Sequence, residues 1–378
     1  VATVGPSSSD VVVLEKMIRA GLDVARVNMS HGTYEGHTQM IARIREASKL
    51  ADKEVAILLD LQGPKIRVDK LPTPLELKED EEWVIAPSSK ADQYPEYKGR
   101  IIPTVYENLV EDCHDGARIL FDDGLLRAVA TVRDRDVYKI KVEVGGILKS
   151  NKGINLPDCD VSAPAFTDKD RDDLMFGLKQ QIDYIALSFV RKREDVMQVK
   201  ALLHKLKMNI PIIAKIEKPQ AIDALDDIIA VSDAIMVARG DMGVEVGNHL
   251  VPSMQKLIIS RCNEAMIPVI TATQMLESMT ENPSPTRAEA SDVANAIWDG
   301  TDAVMLSGET AAGKWPVQTI KMMDQIVIEA EKTPKERPFL RKMDLSNVNA
   351  SVMVAASMIA EKVDGRFILS MTESGSSC

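Results

Sequence analysis

The chain has 378 residues, 45% hydrophobic and 27% charged, too long for a peptide or disulfide scaffold and too apolar for a disordered tail. Its 46 basic and 57 acidic residues give a net charge of -11, and aromatics make up only 4%, which argues against nucleic-acid binding by phosphate neutralisation or base stacking. Four separated cysteines, Cys113, Cys159, Cys262 and Cys378, form no C-x-x-C pair, so a reducing cytoplasm is expected, without a zinc knuckle or a disulfide framework. The opening VATVGPSSSD has neither a basic nor an apolar leader segment, and no apolar run nears the ~18 residues of a membrane helix, so no membrane association is expected.

In chain order, short β-branched runs alternate with longer stretches of helical period. Strands are expected over residues 1–4, 24–30, 55–61, 184–189, 211–217, 234–241, 268–273 and 303–307. Each except the third is followed directly by an amphipathic stretch, such as VVVLEKMIRAGL after the first. Eight such units predict an α/β fold, a closed (β/α)8 TIM barrel. After the third strand come LPTPLELKEDEEWVIAP and the alternating, turn-rich ARILFDDGLLRAVATVRDRDVYKIKVEVGGILKSNKG, which predict an inserted β-barrel lid domain over 70–157. The flanking segments 1–69 and 158–333 then approach the ~250 residues usual for such a barrel. Beyond the linker TPKERPF, residues 346–378 carry a helix-like SNVNASVMVAASMIAEKV and a strand-like RFILS, expected to begin a truncated α/β C-terminal domain.

In such barrels the reactive groups sit at the C-terminal strand ends. Here these ends are polar: Arg26, Asn28, Ser30 and His31 after strand two; Asp60, Lys65 and Arg67 after three; Lys215 and Glu217 at five; Arg239, Gly240 and Asp241 at six; Thr273 and Gln274 at seven; Ser307 and Glu309 at eight. The cations Arg26, Arg67 and Lys215 suit a phosphorylated, carboxylated substrate. Glu217 and Asp241, from neighbouring strands, are either the two carboxylates that a hard divalent cation takes or members of a structural ion pair. The five histidines have no metal-ligand spacing.

The segments VATVGPSS, ARVNMSHGTYEGH, LLDLQGPKIR, LSFVRKREDV, IIAKIEKPQAI, IMVARGDMGVE and ITATQMLESMTENPSPTRAEASDVANAIWDGTDAVMLSGETAAGKWP together resemble the pyruvate kinase family across the barrel. The resemblance implies transfer of the phosphoryl group of phosphoenolpyruvate to ADP, giving ATP and pyruvate, the last step of glycolysis. It also implies dependence on Mg2+ (or Mn2+), and a cytoplasmic homotetramer once the C-terminal domain is complete. Carried over residue by residue, Lys215 is the cation beside the transferring group, Arg26 a phosphate clamp, and Thr273 the hydroxyl near the substrate methylene. Gly240, Asp241 and Ser307 belong to the substrate site, Glu217 and Asp241 hold the Mg2+, and His31 and Arg67 lie on the nucleotide side.

In the inserted segment, Asp122 and Asp123 of FDDG, with Lys152 and Asn155 of SNKGIN, resemble lid residues over the nucleotide, although D-D-G is equally a hairpin turn. Asn28, Ser30, Asp60 and the Leu61 carbonyl match a potassium site, yet Lys65 stands where potassium-dependent members carry an acid. The loop LQGPK resembles the potassium-independent branch, in which an ammonium supplies the charge; otherwise Lys65 is a surface lysine. Thr372, Ser374 and Gly375 resemble the opening of an effector phosphate loop, whose remainder is expected to be missing along with a few residues before Val1. Two other readings fit the same residues. One is a lyase of related architecture that holds an enolate on Glu217 and Asp241 without a nucleotide; the other is a non-catalytic fragment.

Overall fold

Eight parallel strands pair in chain order: Ala2–Thr3, Val24–Asn28, Ala56–Asp60, Tyr184–Val190, Ile212–Ile216, Ala234–Ala238, Val269–Ala272 and Ala303–Met305. The computed structural model describes residues 1–333, 348–363, 365 and 368. The sheet closes on itself where Ala2 bridges Leu306 and the Thr3 N–H reaches the Leu306 carbonyl at 2.9 Å, so the fold is the expected (β/α)8 barrel. Strand alternation divides the apolar residues between two layers. Leu58, Ala186, Ile213, Met236, Ile270 and Met305 fill the barrel interior, whereas Ile57, Leu59, Ile185, Leu187 and Ile235 pack outward in the cluster that includes the surrounding helices.

Two strand ends differ from the expectation. Strand six stops at Ala238, the last residue paired with strand seven, and the helix Arg239–Val246 starts at once. The reason lies next door: Thr273 and Gln274 turn away with φ of 70° and 52°, leaving residues 239–241 no partner to pair with. Gly240 and Asp241 therefore occupy a first helical turn. Strand eight likewise ends at Met305, and the short helix Gly308–Ala311 precedes Pro316–Glu331. Strand five is followed by two short helices, Pro219–Asp223 and Leu225–Ile229, where one amphipathic stretch is expected.

Between the third and fourth barrel strands, six strands form a second sheet: Glu82–Pro87, Ile101–Thr104, Arg118–Phe121, Leu126–Asp134, Val137–Val144 and Ile154–Asn155. The pair Leu75–Leu77 and Gly146–Leu148 stands apart, and the helices Ser88–Ala91 and Leu109–Asp112 interrupt the β pattern. The chain leaving the barrel bridges both edges of this sheet, Arg67 to Gly153 and Val68 to Thr104. A separate apolar cluster, including Trp83, Ile85, Ile119, Phe121, Tyr138 and Ile140, lies beneath it and extends from Ile66 to Val161. Toward the C-terminus a helix spans Val348–Lys362; apart from Ile368, the RFILS stretch lies outside the described residues, as do Thr372, Ser374, Gly375 and Cys378. Among the described residues no helix is long and apolar enough to cross a membrane.

Candidate active site

Lys215 sits on strand five, where every residue of Ile212–Ile216 is buried, and its ammonium is held among three oxygens. Nζ donates to Ser188 Oγ at 2.7 Å and lies 3.0 Å from Glu217 Oε1 and 3.3 Å from Asp60 Oδ1. Ser188 passes the link on, its hydroxyl donating to the Leu61 carbonyl at 2.7 Å. Asp60 Oδ2 accepts from Arg26 Nε at 2.6 Å, and Arg26 Nη1 donates to Thr3 Oγ1 at 2.8 Å. One polar chain thus crosses strands one to five at the barrel mouth.

The electrostatics follow from burial and pairing. Burial opposes protonation of Lys215, but Asp60 and Glu217 outweigh it and hold the ammonium above its usual value. Burial alone would raise Asp60, yet Lys215 and Arg26 hold it below the ordinary carboxylate range. Glu217 goes the other way: burial pushes it up to about 7, Lys215 opposes this, and the neighbouring Asp241 carboxylate adds to it. Since Asp60 is buried between two cations, Asp60→Asn should destabilise the fold by about 3–5 kcal/mol, the usual cost of breaking a buried pair. Urea unfolding followed by circular dichroism checks this, and a loss near zero would mean that the pairs contribute nothing to the fold.

Thr273 and Gly240 meet on the opposite side of the mouth. The Gly240 N–H donates to Thr273 Oγ1 at 2.8 Å, and that hydroxyl donates to the Ala272 carbonyl at 2.6 Å. A Cβ on residue 240 would lie 3.3 Å from Thr273 Oγ1, which favours glycine there. The helix start at Ala238–Asp241 suits an anion by its polarity, yet the Gly240 amide is already engaged. A β-branched residue at φ 70° costs about 1–3 kcal/mol and persists only when its surroundings fix it. The fixing group is Arg239, buried, whose guanidinium donates to the Thr273 carbonyl (2.7 Å), the Gln274 carbonyl (3.1 Å) and Asp292 (2.7 Å). Arg239, one of the cations at the strand ends, is therefore a brace for the seventh loop.

The third-strand loop is built around Gly63, whose φ of 68° and close approach to Phe189 leave no room for a side chain. Its N–H donates to Asp170 Oδ1 at 3.0 Å, and Asp170 also closes the capping box of the helix Asp168–Lys179 with Thr167. This anchors Lys65, which has no ion pair among the described residues and faces both the barrel and the inserted sheet. His31 is held below its usual value by partial burial and then by the charges of Arg67, Lys65 and Arg26, so these four lie in one field. Ser30 N–H donates to Asn28 Oδ1 at 3.0 Å. Arg67 donates to the Asn151 carbonyl at 2.9 Å.

Asp122 and Asp123 both adopt positive φ, 52° and 55°, in the turn joining Arg118–Phe121 to Leu126–Asp134, so the hairpin-turn reading holds for their backbone. Asp122 pairs with Lys152 at 2.8 Å, and Asp123 lines the cleft below. That cleft measures about 960 Å³ and lies between the inserted sheet and the barrel mouth, with Lys65, Arg118 and Arg127 facing Gly240, Asp241 and Gln274. Ser307 lies past strand eight; its N–H donates to Glu309 Oε2 at 2.7 Å, while its buried Oγ has no partner.

Several contributors escaped the sequence reading. Ser188 joins Lys215 to Leu61, and the Phe189 N–H donates to Glu217 Oε2 at 2.7 Å. Glu245, fully buried, accepts from Lys218 (2.7 Å) and from Asn155 of the inserted sheet (2.8 Å), clamping that sheet to the barrel. The i, i+4 spacing of Asp241 and Glu245 on one helix was the available signal. Arg191 donates to the Val161 and Ala163 carbonyls where the chain returns to the barrel.

The carboxylates fit a divalent cation. Glu217 Oε1, although 3.0 Å from Lys215, is buried without a hydrogen bond, and Asp241 is close enough to raise the Glu217 carboxyl. A hard divalent ion usually takes one or two protein carboxylates and completes its shell with water and substrate oxygens.

Residues 1–320 match the family model described as pyruvate kinase, barrel domain. The chain is 45% identical over 382 aligned positions to the pyruvate kinase of Geobacillus stearothermophilus, covering 99% of this chain and 64% of that protein. It is 44% identical to the pyruvate kinases of Staphylococcus epidermidis (strain ATCC 35984) and Staphylococcus aureus (strain MRSA252), in each case over 100% of this chain and 64% of the relative. The chain therefore spans just under two thirds of the length of these curated relatives.

Proposed function

Because the chain belongs to the pyruvate kinase family, we propose that it catalyses phosphoryl transfer from phosphoenolpyruvate to ADP, giving pyruvate and ATP as the last step of glycolysis. The observation that carries this reading is the buried Lys215–Asp60–Glu217 cluster at the C-terminal ends of the barrel strands, with the inserted sheet facing Asp241 across the neighbouring cleft. In the reaction the bond from phosphorus to the enol oxygen breaks, a bond to a β-phosphate oxygen of ADP forms, and the enolate carbon takes a proton. Phosphoryl transfer leaves the protein mainly positioning and charge stabilisation to provide.

Lys215 supplies a fixed cation at the transferring group, pre-oriented by Asp60, Glu217 and Ser188. Arg26, held by Asp60, adds a second cation, and Gly240, Asp241 and Ser307 complete the substrate side. Glu217 and Asp241 would hold the divalent ion, Mg2+ or Mn2+. When bound, that ion supplies positive charge to the substrate oxygens. Thr273 is placed in the proton path to the methylene carbon; to serve there its hydroxyl has to release the Ala272 carbonyl. His31 and Arg67 from the barrel, with Asp122 and Lys152 from the lid, take the nucleotide. Glu245, Asn155 and Lys218 set the lid against the barrel, and closure excludes water so that phosphate passes to ADP.

Lys65 replaces the monovalent cation. In support, three of the four groups matching the potassium site are already engaged: Asp60 with Arg26 and Lys215, the Leu61 carbonyl with Ser188, and Asn28 with the Ser30 amide. Turnover should accordingly persist in tetramethylammonium chloride without potassium, and a many-fold loss there would contradict the replacement. The division into a barrel (1–69 and 158–333), a lid (70–157) and the start of a C-terminal effector domain (346–378) belongs to the same proposal. So do a cytoplasmic location, in keeping with three free described cysteines, and a homotetramer formed with a complete C-terminal domain.

The test is a coupled assay of pyruvate formation from phosphoenolpyruvate and Mg2+, with and without ADP. Pyruvate that appears only with ADP is the expected result. Pyruvate formed equally without ADP would favour the lyase reading, and a chain that binds Mg2+ and phosphoenolpyruvate but stays inert would favour the non-catalytic one.

A further inference from the structure

Away from the barrel mouth, two thiols of the inserted sheet lie side by side. Cys113 follows the helix Leu109–Asp112, its N–H donating to the Leu109 carbonyl at 3.0 Å, and Cys159 lies on the stretch returning to the barrel. Their two segments are bound together around them. His114 Nε2 is 3.0 Å from the Asp158 carbonyl, and the Arg118 guanidinium grips the Asp158 carboxylate at 2.8 and 2.7 Å. Both thiols belong to the same apolar cluster, 8% and 2% exposed, and lie within hydrogen-bonding reach of each other. Among the described residues no further His, Cys, Asp or Glu completes a metal site with them. The third described cysteine, Cys262, is buried in the helix Val251–Ala265 against the barrel.

We propose that Cys113 and Cys159 form a dithiol–disulfide couple, a site of reversible oxidation by low-molecular-weight disulfides that fastens the return linker to the lid. The roles follow from the asymmetry of the pair. Cys113 is the more exposed of the two, 8% against 2% for Cys159, and so the one a small disulfide reaches first. Cys113 attacks one sulfur of the small disulfide, forming a mixed disulfide and releasing one thiolate. Cys159 then gives its proton to the released thiolate and attacks the Cys113 sulfur, expelling the second small thiolate, which takes the proton lost by Cys113. In sum, two protein thiols lose two protons and two electrons, and one small disulfide becomes two thiols. Because Arg191 already ties the carbonyls of Val161 and Ala163 to the barrel, a bond at Cys159 pins the lid side of the same linker.

The experiment treats the full chain, natively folded, with oxidised glutathione, blocks remaining thiols, and maps tryptic peptides by mass alongside hydrogen exchange. The expected results are a linked peptide pair joining Cys113 to Cys159, its disappearance with dithiothreitol, and slower amide exchange over residues 156–163 in the oxidised chain. Cys262→Ser should leave all three unchanged. The proposal is overturned by a glutathione adduct on Cys113 that never resolves, by both thiols staying free, or by a linked pair that leaves exchange over 156–163 unaltered. These readouts do not depend on the catalytic reading of the barrel mouth.

Discussion

Lys215→Met should lower kcat about 10³-fold, the upper end of what removing one fixed, preorganised donor of charge costs, while the KM for phosphoenolpyruvate changes far less. The size of the effect comes from where the ammonium sits. It is 8% exposed, and no water can take over a charge held by Asp60, Glu217 and Ser188. The substitution need not unfold the barrel. Met fills most of the same volume, Asp60 keeps Arg26, and Glu217, already pushed up to about 7, answers the loss of its cation by taking a proton. Steady-state kinetics with circular dichroism as a folding control reads both parts. A folded variant with near-normal kcat would remove Lys215 from the chemistry and leave it a structural member of the cluster.

Glu217→Gln should have the second large effect, seen mainly in the divalent-ion requirement. The activating concentration should rise beyond the ~10–100-fold that losing an outer-shell partner of a metal ligand costs, because a ligand is itself removed. The pH dependence carries the sign. A carboxyl titrating at about 7 must shed its proton before it can hold a cation, so in the parent chain ion affinity should weaken by about tenfold per pH unit below 7. The amide cannot titrate, so the variant's weaker affinity should lose this slope. Mg2+ or Mn2+ activation measured between pH 6 and 8 gives both numbers, and an unchanged activation constant in Glu217→Gln would place the ion elsewhere.

Much of this was legible because parallel-barrel strands are nearly continuous apolar runs, so a polar residue ending one stands out. Lys215 and Glu217 after IIA, and Thr273 after VITA, could be read in that way. What stayed hidden depends on neighbouring strands. The end of strand six at Ala238 is dictated by the turn at Thr273, and the partnership of Ser188 with Lys215 depends on the register of strands four and five, in which Leu187 lies beside Ala214. Glu245 was missed because Asp241 was read as a strand end, which hides the helical spacing between them. Asp122 was readable both ways, and its turn geometry serves the hairpin while leaving Asp123 over the cleft. Cys113 and Cys159 are remote in sequence, and only the folded inserted segment brings them together in one apolar cluster.

The central claim, that the cluster around Lys215 moves a phosphoryl group from phosphoenolpyruvate to ADP, is tested most directly by phosphorus NMR of the parent chain with both substrates and Mg2+. The predicted result is loss of the phosphoenolpyruvate resonance matched one for one by growth of the γ-phosphate of ATP, and neither change in Lys215→Met over the same time. Inorganic phosphate growing in place of ATP, or phosphoenolpyruvate consumed when ADP is omitted, would contradict it.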